Sequence, residues 1–145
     1  MENILLSDAD SLLSPTALEN ATNILNQGYI GGRCVIKPPE DKLIAKIQTE
    51  ILNNWAKYIA PNYTPYIFCT RKAFEDVGGW PEDKGLGDEL VFQRRLRDIG
   101  KFKFDSNSFV ETSPRRYQKE GYLKITLLGV LGYFGFKIKW EPVRD

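Results

Sequence analysis

An uninterrupted apolar run, Ile4-Leu5-Leu6, stops abruptly at Ser7-Asp8-Ala9-Asp10, within the first dozen residues of a 145-residue chain. Three consecutive branched aliphatics are poor candidates for a solvent-facing strand, so the run reads as a buried strand of an α/β sheet. Its tip then carries two carboxylates one residue apart. On a continuing strand, residues at i and i+2 share a face. At a strand end the chain turns, and both carboxylates can converge on one divalent cation.

The rest of the chain alternates between helical and extended patterns. Ser14-Pro15 predicts a helix N-cap with proline at the first helical position, followed by Ala17, Leu18, Ala21, Ile24 and Leu25 at helical spacing and a stop at Gly28. Tyr29 to Ile36 is β-prone, and its Gly31-Gly32 pair predicts a bulge or a close backbone approach. After Pro38-Pro39, Leu43 to Ile59 predicts an amphipathic helix with Leu43, Ile44, Ile47, Ile51, Leu52, Trp55 and Ile59 on its apolar face. Pro61 and Pro65 bracket its exit loop. Tyr66 to Thr70 reads as a short strand, Arg71 to Val77 as a short helix stopped by Gly78-Gly79, and Asp88 to Ile99 as a helix ending at Gly100. Lys101 to Asp105 and Ser108 to Glu111 read as two strands joined by an Asp-Ser-Asn turn. The class is α/β in a single domain over residues 1–145, with no repeat or internal linker.

Composition excludes more than it selects. Lys and Arg number 20 against 19 Asp and Glu, so bulk charge does not favour a nucleic-acid partner. Histidine is absent, which removes histidine acid–base catalysis, His-ligated zinc and Ser-His-Asp triads. The two cysteines, Cys34 and Cys69, lack CxxC spacing and read as reduced, semi-buried thiols of a cytoplasmic protein. Leu123 to Phe136 is apolar but shorter than the ~20 residues a membrane span needs. With Lys124, Lys137 and Lys139 beside Tyr133, Phe134 and Trp140, the segment 122–140 suits either a packing helix or a peripheral contact at the inner face of a membrane.

A second acidic pair, Asp88-Glu89, follows Gly85-Leu86-Gly87 and opens the third long helix. Such acids commonly cap a helix and answer its dipole. They also fit a general base beside an activated phosphate ester. An EF-hand is excluded at Asp8, since Ser11-Leu12-Leu13 occupies the stretch where its loop needs glycine and further oxygen ligands. Arg94, Arg95 and Arg97 read as a solvated helix face paired with nearby acids. Trp55 reads as a packing residue.

Four segments taken in order carry a family resemblance: Asp8-Ala9-Asp10-Ser11; Arg71-Lys72-Ala73-Phe74-Glu75-Asp76-Val77-Gly78-Gly79-Trp80-Pro81-Glu82; Gly87-Asp88-Glu89 with Arg95-Leu96-Arg97-Asp98-Ile99-Gly100; and Thr112-Ser113-Pro114-Arg115-Arg116. From about Ile4 to Gly121 this order resembles the second half of a family 2 glycosyltransferase of the GT-A fold. The resemblance implies a mixed sheet flanked by helices, with residues 1–121 as the catalytic and acceptor half and 122–145 as an apolar tail. It implies Asp8 and Asp10 as ligands of Mg²⁺ or Mn²⁺ and of a nucleotide-diphosphate sugar, with Arg115 and Arg116 on its phosphates. Gly78, Gly79 and Trp80 would shape the sugar pocket. Glu89 occupies the position of the catalytic base, with Asp88 sharing the role because the usual Glu-Asp order is reversed. The family's late histidine is missing, so the metal site relies on Asp10 plus phosphates or takes a substitute such as Glu111 or Ser113. The reaction implied is inverting transfer to a hydroxyl of a glycan, lipid or protein acceptor.

The resemblance lacks the family's nucleotide-binding βαβαβ half, where the Ile4-Leu5-Leu6 strand would have neighbours on both sides in a mostly parallel sheet. An uncovered edge predicts a separately encoded N-terminal half as protein partner, a second copy of the chain, or a chain that is itself incomplete, so transfer is expected to be partner-dependent. The competing expectation is a non-catalytic, glycosyltransferase-derived binding or assembly protein, associated with a membrane surface through its tail.

Overall fold

Ile4, Leu5 and Leu6 form the middle of the first strand, Asn3–Ser7 (β1), in a computed structural model that describes residues 2–59, 61–81 and 87–134. Gly85, Leu86 and Glu82 of the quoted motifs, and Phe136, Lys137, Lys139 and Trp140 of the tail, lie outside the described residues. A two-residue strand, Leu12–Leu13 (β2), follows the acidic turn. The helix Ala17–Asn26 (α1) buries Ala17, Ala21, Ile24 and Leu25 of the predicted stripe, but Leu18, expected among them, is 61% exposed. Ser14 is not its cap. The helix opens after Thr16, and the Ser14 hydroxyl instead accepts the Phe109 N–H at 3.2 Å.

Strand Gly31–Ile36 (β3) needs its glycines for close approach and not for a bulge. A Cβ on Gly32 would overlap the Phe68 ring and lie 2.6 Å from the Lys103 carbonyl oxygen. The irregularity falls later, between Cys34 and Val35. Helix Leu43–Tyr58 (α2) and strand Tyr66–Thr70 (β4) come next, then helix Arg71–Asp76 (α3), whose first turn is capped by the Thr70 hydroxyl accepting from Ala73 N–H. Helix Asp88–Ile99 (α4) leads into strand Phe102–Glu111 (β5). The two strands expected over 101–111 are one. Asp105 pairs with Cys34 and Phe109 with Val35, so the intervening residues bulge out, held by Asp105 Oδ1 accepting from Asn107 N–H at 2.9 Å. Helices Arg115–Glu120 (α5) and Tyr122–Tyr133 (α6) meet at Gly121, whose φ of 84° lies in the left-handed region.

The sheet order is β1-β4-β3-β5-β2. Only β3 and β5 run parallel; the other three pairings are antiparallel, so the sheet is mixed but not mostly parallel. Among the described residues β1 has a neighbour on the β4 side alone. Alternation along β4 sends Tyr66 and Phe68 to one face and Ile67 and Cys69 to the other. The first pair packs with α1, Cys34, Ile36 and Val110; the second packs with Ala73 of α3 and Phe92 and Leu96 of α4. Helices therefore cover both faces. Cys34 and Cys69 are fully buried, and burial pushes their thiols up to about 12 and about 11, well out of the reactive range.

Helix α2 reverses the orientation its periodicity suggests. Ala45, Gln48 and Thr49 are buried, while Leu43, Ile44, Ile47 and Ile51 are exposed. The polar side wins because it has specific partners. Asn53 accepts from Ile36 N–H (2.9 Å) and donates to Ile36 O (2.8 Å), completing the edge of β3, and Gln48 Nε2 donates to Thr126 of α6 at 2.6 Å.

Candidate functional site

The first acidic pair sits where β1 ends. Asp8 N–H donates to Pro65 O at 3.1 Å, prolonging the β1–β4 edge by one bond, and Ser11 N–H donates back to Asp8 O at 3.2 Å to close the turn. Asp8 Oδ2 accepts the Tyr63 hydroxyl at 3.2 Å. Burial raises the Asp8 pKa most; the tyrosine bond opposes that rise and the neighbouring Asp10 charge adds to it. Asp10 Oδ2 lies 3.4 Å from Arg115 Nη2.

The second pair opens α4. Gly87, with φ of 105°, occupies the N-cap position and no side chain caps the helix, so neither acid serves there as a cap. Burial raises the Asp88 pKa and the nearby Trp80 indole opposes that rise, while Asp88 Oδ1 is buried with no hydrogen-bond partner among the described residues. Glu89 is pushed up to about 7. Burial is the main cause, the charges of Asp8 and Asp88 add to it, and the nearby Arg33 guanidinium offsets part. Asp8 and Glu89, 81 positions apart in the chain, thus share one electrostatic environment.

Arg33 is what sequence reasoning passed over. It projects from β3 and is 1% exposed. Its Nη1 donates to Asn62 O (3.1 Å) and Asn62 Oδ1 (2.6 Å), and its Nη2 to Tyr63 O (3.2 Å). Gln93 Nε2 donates to the same Asn62 O at 2.8 Å and to Glu89 O at 3.1 Å, and Asn62 Nδ2 donates to Leu52 O at 2.7 Å. The loop before β4 is thereby fixed from β3, α4 and α2, and it presents Tyr63 to Asp8. The available signal was a lone cation inside the otherwise apolar run of β3.

Asn62 and Tyr63, with both acidic pairs, line a cavity of about 690 Å³, a volume suited to a small-molecule ligand; Arg33 and Gln93 stand behind its wall. Asp8, Asp10, Asp88, Glu89, Arg115 and Arg116 gather at one end. Ser113 also lines it and its hydroxyl accepts from Arg115 Nε at 3.1 Å, whereas Glu111 pairs with Lys37 at 3.2 Å and does not line it. Arg116 lies 3.6 Å from Glu120. The other end is walled by Ile51, Leu52 and Trp55 of α2 and by Ile125, Val130 and Tyr133 of α6. Trp55 meets Tyr133 edge-on at 5.7 Å, so it is both a packing residue and a wall.

Gly78, Gly79 and Trp80 are not brought to the cavity wall. The glycines, with φ of 81° and 76°, turn the chain after α3, and Trp80 packs on Phe92 at 5.2 Å, reaching the site only through Asp88. Two of the α4 arginines have partners other than the acids expected: Arg94 lies over the Tyr133 ring at 5.0 Å, and Arg95 Nη1 donates to Val77 O at 3.3 Å; among the described residues no ion pair is seen for Arg94, Arg95 or Arg97.

Among the described residues no three His, Cys, Asp or Glu side chains gather as a metal cage. Asp8 and Asp10 do fit the sparser mode of Mg²⁺ or Mn²⁺, in which one or two carboxylates share the ion with substrate phosphates. The repulsion that Asp8 feels from Asp10 is the kind of charge pairing such an ion relieves. The chain matches no protein-family model and no curated protein.

Proposed function

We propose that the protein is an inverting glycosyltransferase that moves a sugar from a nucleotide-diphosphate sugar to an acceptor hydroxyl. The observation that carries this is the convergence, from three separate stretches of chain, of two acidic pairs and two arginines on one end of one cavity, with Glu89 ionising near neutral pH. A base of that strength is matched to removing a hydroxyl proton at physiological pH. The mixed sheet with helices on both faces is compatible with the Rossmann-like GT-A architecture.

Glu89 accepts the proton of the acceptor hydroxyl as that oxygen bonds to the anomeric carbon. The bond from that carbon to the diphosphate oxygen breaks on the opposite face, inverting the centre, and the proton later leaves Glu89 for solvent. Arg115 and Arg116 meet the charge that develops on the departing diphosphate. Asp8 and Asp10 would hold Mg²⁺ or Mn²⁺, which supplies further electrophilic stabilisation to that leaving group. Tyr63 keeps Asp8 oriented by its hydroxyl.

The exposed apolar residues of α2, with Leu123 and Leu127 of α6, favour a working position against a membrane surface. No described helix is long and apolar enough to cross a membrane.

Titration with UDP- and GDP-sugars in the presence and absence of Mn²⁺ tests the proposal. Asp8→Asn and Asp10→Asn are each expected to weaken Mn²⁺-dependent donor binding by about tenfold or more, while Glu89→Gln binds donor normally and loses transfer. Donor binding indifferent to both aspartates would overturn the reading.

A further inference from the structure

The two ends of the cavity differ in chemistry, and a water-soluble acceptor accounts for only one of them. The acidic end meets reacting groups, but the remainder is apolar wall between α2 and α6. That half is open space as well: a Cβ placed on Gly129 of α6, which lines it, would meet nothing within 4 Å. Gln48 of α2 is a polar residue in that lining, set against α6. It is 8% exposed, donates through Nε2 to Thr126, and leaves Oε1 buried with no hydrogen-bond partner among the described residues. A buried acceptor left unpaired on a cavity wall is costly unless a donor from a ligand completes it.

We infer that the acceptor is an amphiphile, with a hydroxyl-bearing head between Gln48 and the Asp8–Glu89 end and a single apolar chain lying along the α2–α6 wall. A purely polar glycan would leave the apolar wall wet, and a purely apolar ligand would leave Gln48 and the carboxylates without hydroxyl partners. Only a molecule with both parts matches the whole surface. The identification as acceptor rests on the transferase reading proposed above; the amphiphile site itself rests on the cavity alone.

Titration with dodecyl maltoside brominated in its alkyl chain, below its micelle-forming concentration, tests this, since bromine quenches tryptophan fluorescence on contact and Trp55 is in the apolar wall. The expected result is saturable quenching that Trp55→Phe removes. Unbrominated maltosides of increasing chain length compete with affinities rising by roughly fourfold per methylene until the wall is covered. Gly129→Phe fills the open half and is expected to abolish quenching with the far-ultraviolet spectrum unchanged. Leu43→Ser, on the outer side of α2 and away from the cavity, leaves it intact. No saturable quenching in the unaltered protein, or quenching that Gly129→Phe leaves in place, overturns the amphiphile site. If donor binding still depends on Asp8 and Asp10 in that case, the transferase reading stands without it. Quenching that behaves as expected beside donor binding indifferent to both aspartates keeps the site and removes its role as acceptor.

Discussion

Glu89 illustrates how a single carboxyl group ties activity to stability. With its pKa lifted from 4.5 to about 7, the folded chain holds a proton between those values that the unfolded chain has released. Folding stability from this group therefore falls as pH rises through that interval, and the cost is complete above about pH 7. Glu89→Gln is expected to stabilise the protein by on the order of 3 kcal/mol at pH 8 and by less than about 1 kcal/mol at pH 5, read from urea unfolding at both pH values. Transfer by the unaltered protein, in turn, rises through about pH 7 as the base ionises. Arg33 lies at the opposite extreme, since burial lowers its pKa only to about 10 and it stays cationic at neutral pH. Arg33→Met removes three charge-assisted hydrogen bonds and leaves the Asn62 side-chain oxygen and the Tyr63 carbonyl unanswered, while Gln93 still donates to Asn62 O. The expected loss is about 3 kcal/mol in the same assay, together with weaker donor binding because Tyr63 is released from Asp8.

The elements show which signals travel in local sequence and which do not. Two glycine substitutions separate close approach from backbone strain. Gly32→Ala drives a methyl against the Phe68 ring and the Lys103 carbonyl inside the sheet and is expected to cost about 3 kcal/mol; Gly78→Ala, at a φ of 81° but in open space, costs only about 1–2 kcal/mol. Denaturation midpoints distinguish them. The glycine pair in β3, the inward stripe of α1, the strand before Asp8 and the start of α4 were legible because a run, a period or a stop residue within a few positions determines each. The direction faced by α2 was not. Periodicity establishes that a helix has an apolar side, but Asn53 bonding to Ile36 and Gln48 bonding to Thr126 decide which side turns inward, and those partners lie 17 and 78 residues away. The bulge in β5 was hidden for a similar reason: Asp-Ser-Asn looks the same whether it ends a strand or loops out of one.

Across the whole molecule, the acidic half of the site was readable as two pairs of carboxylates, and their meeting depends on a mixed sheet that brings the end of β1 beside the start of α4. The apolar half of the cavity needed α6 to return against α2, which no local pattern announces. The outward stripe of α2 makes a further expectation. The protein should float with vesicles of 3:1 phosphatidylcholine to phosphatidylglycerol, and the Leu43→Glu, Ile47→Glu double variant should remain at the bottom of the gradient while keeping its helical spectrum. Equal flotation of both would locate the membrane contact elsewhere. Asn62 links these scales. Its backbone oxygen, side-chain oxygen and side-chain nitrogen are all committed, to Arg33, Gln93 and the Leu52 carbonyl. A change at position 33 strands the Asn62 side-chain oxygen and a change at position 62 takes that acceptor from Arg33, whereas Gln93 bonds a backbone oxygen that position 62 supplies whatever its side chain. Among relatives of this chain, positions 33 and 62 will therefore exchange residues in concert, leaving a covariation mark that neither would leave alone.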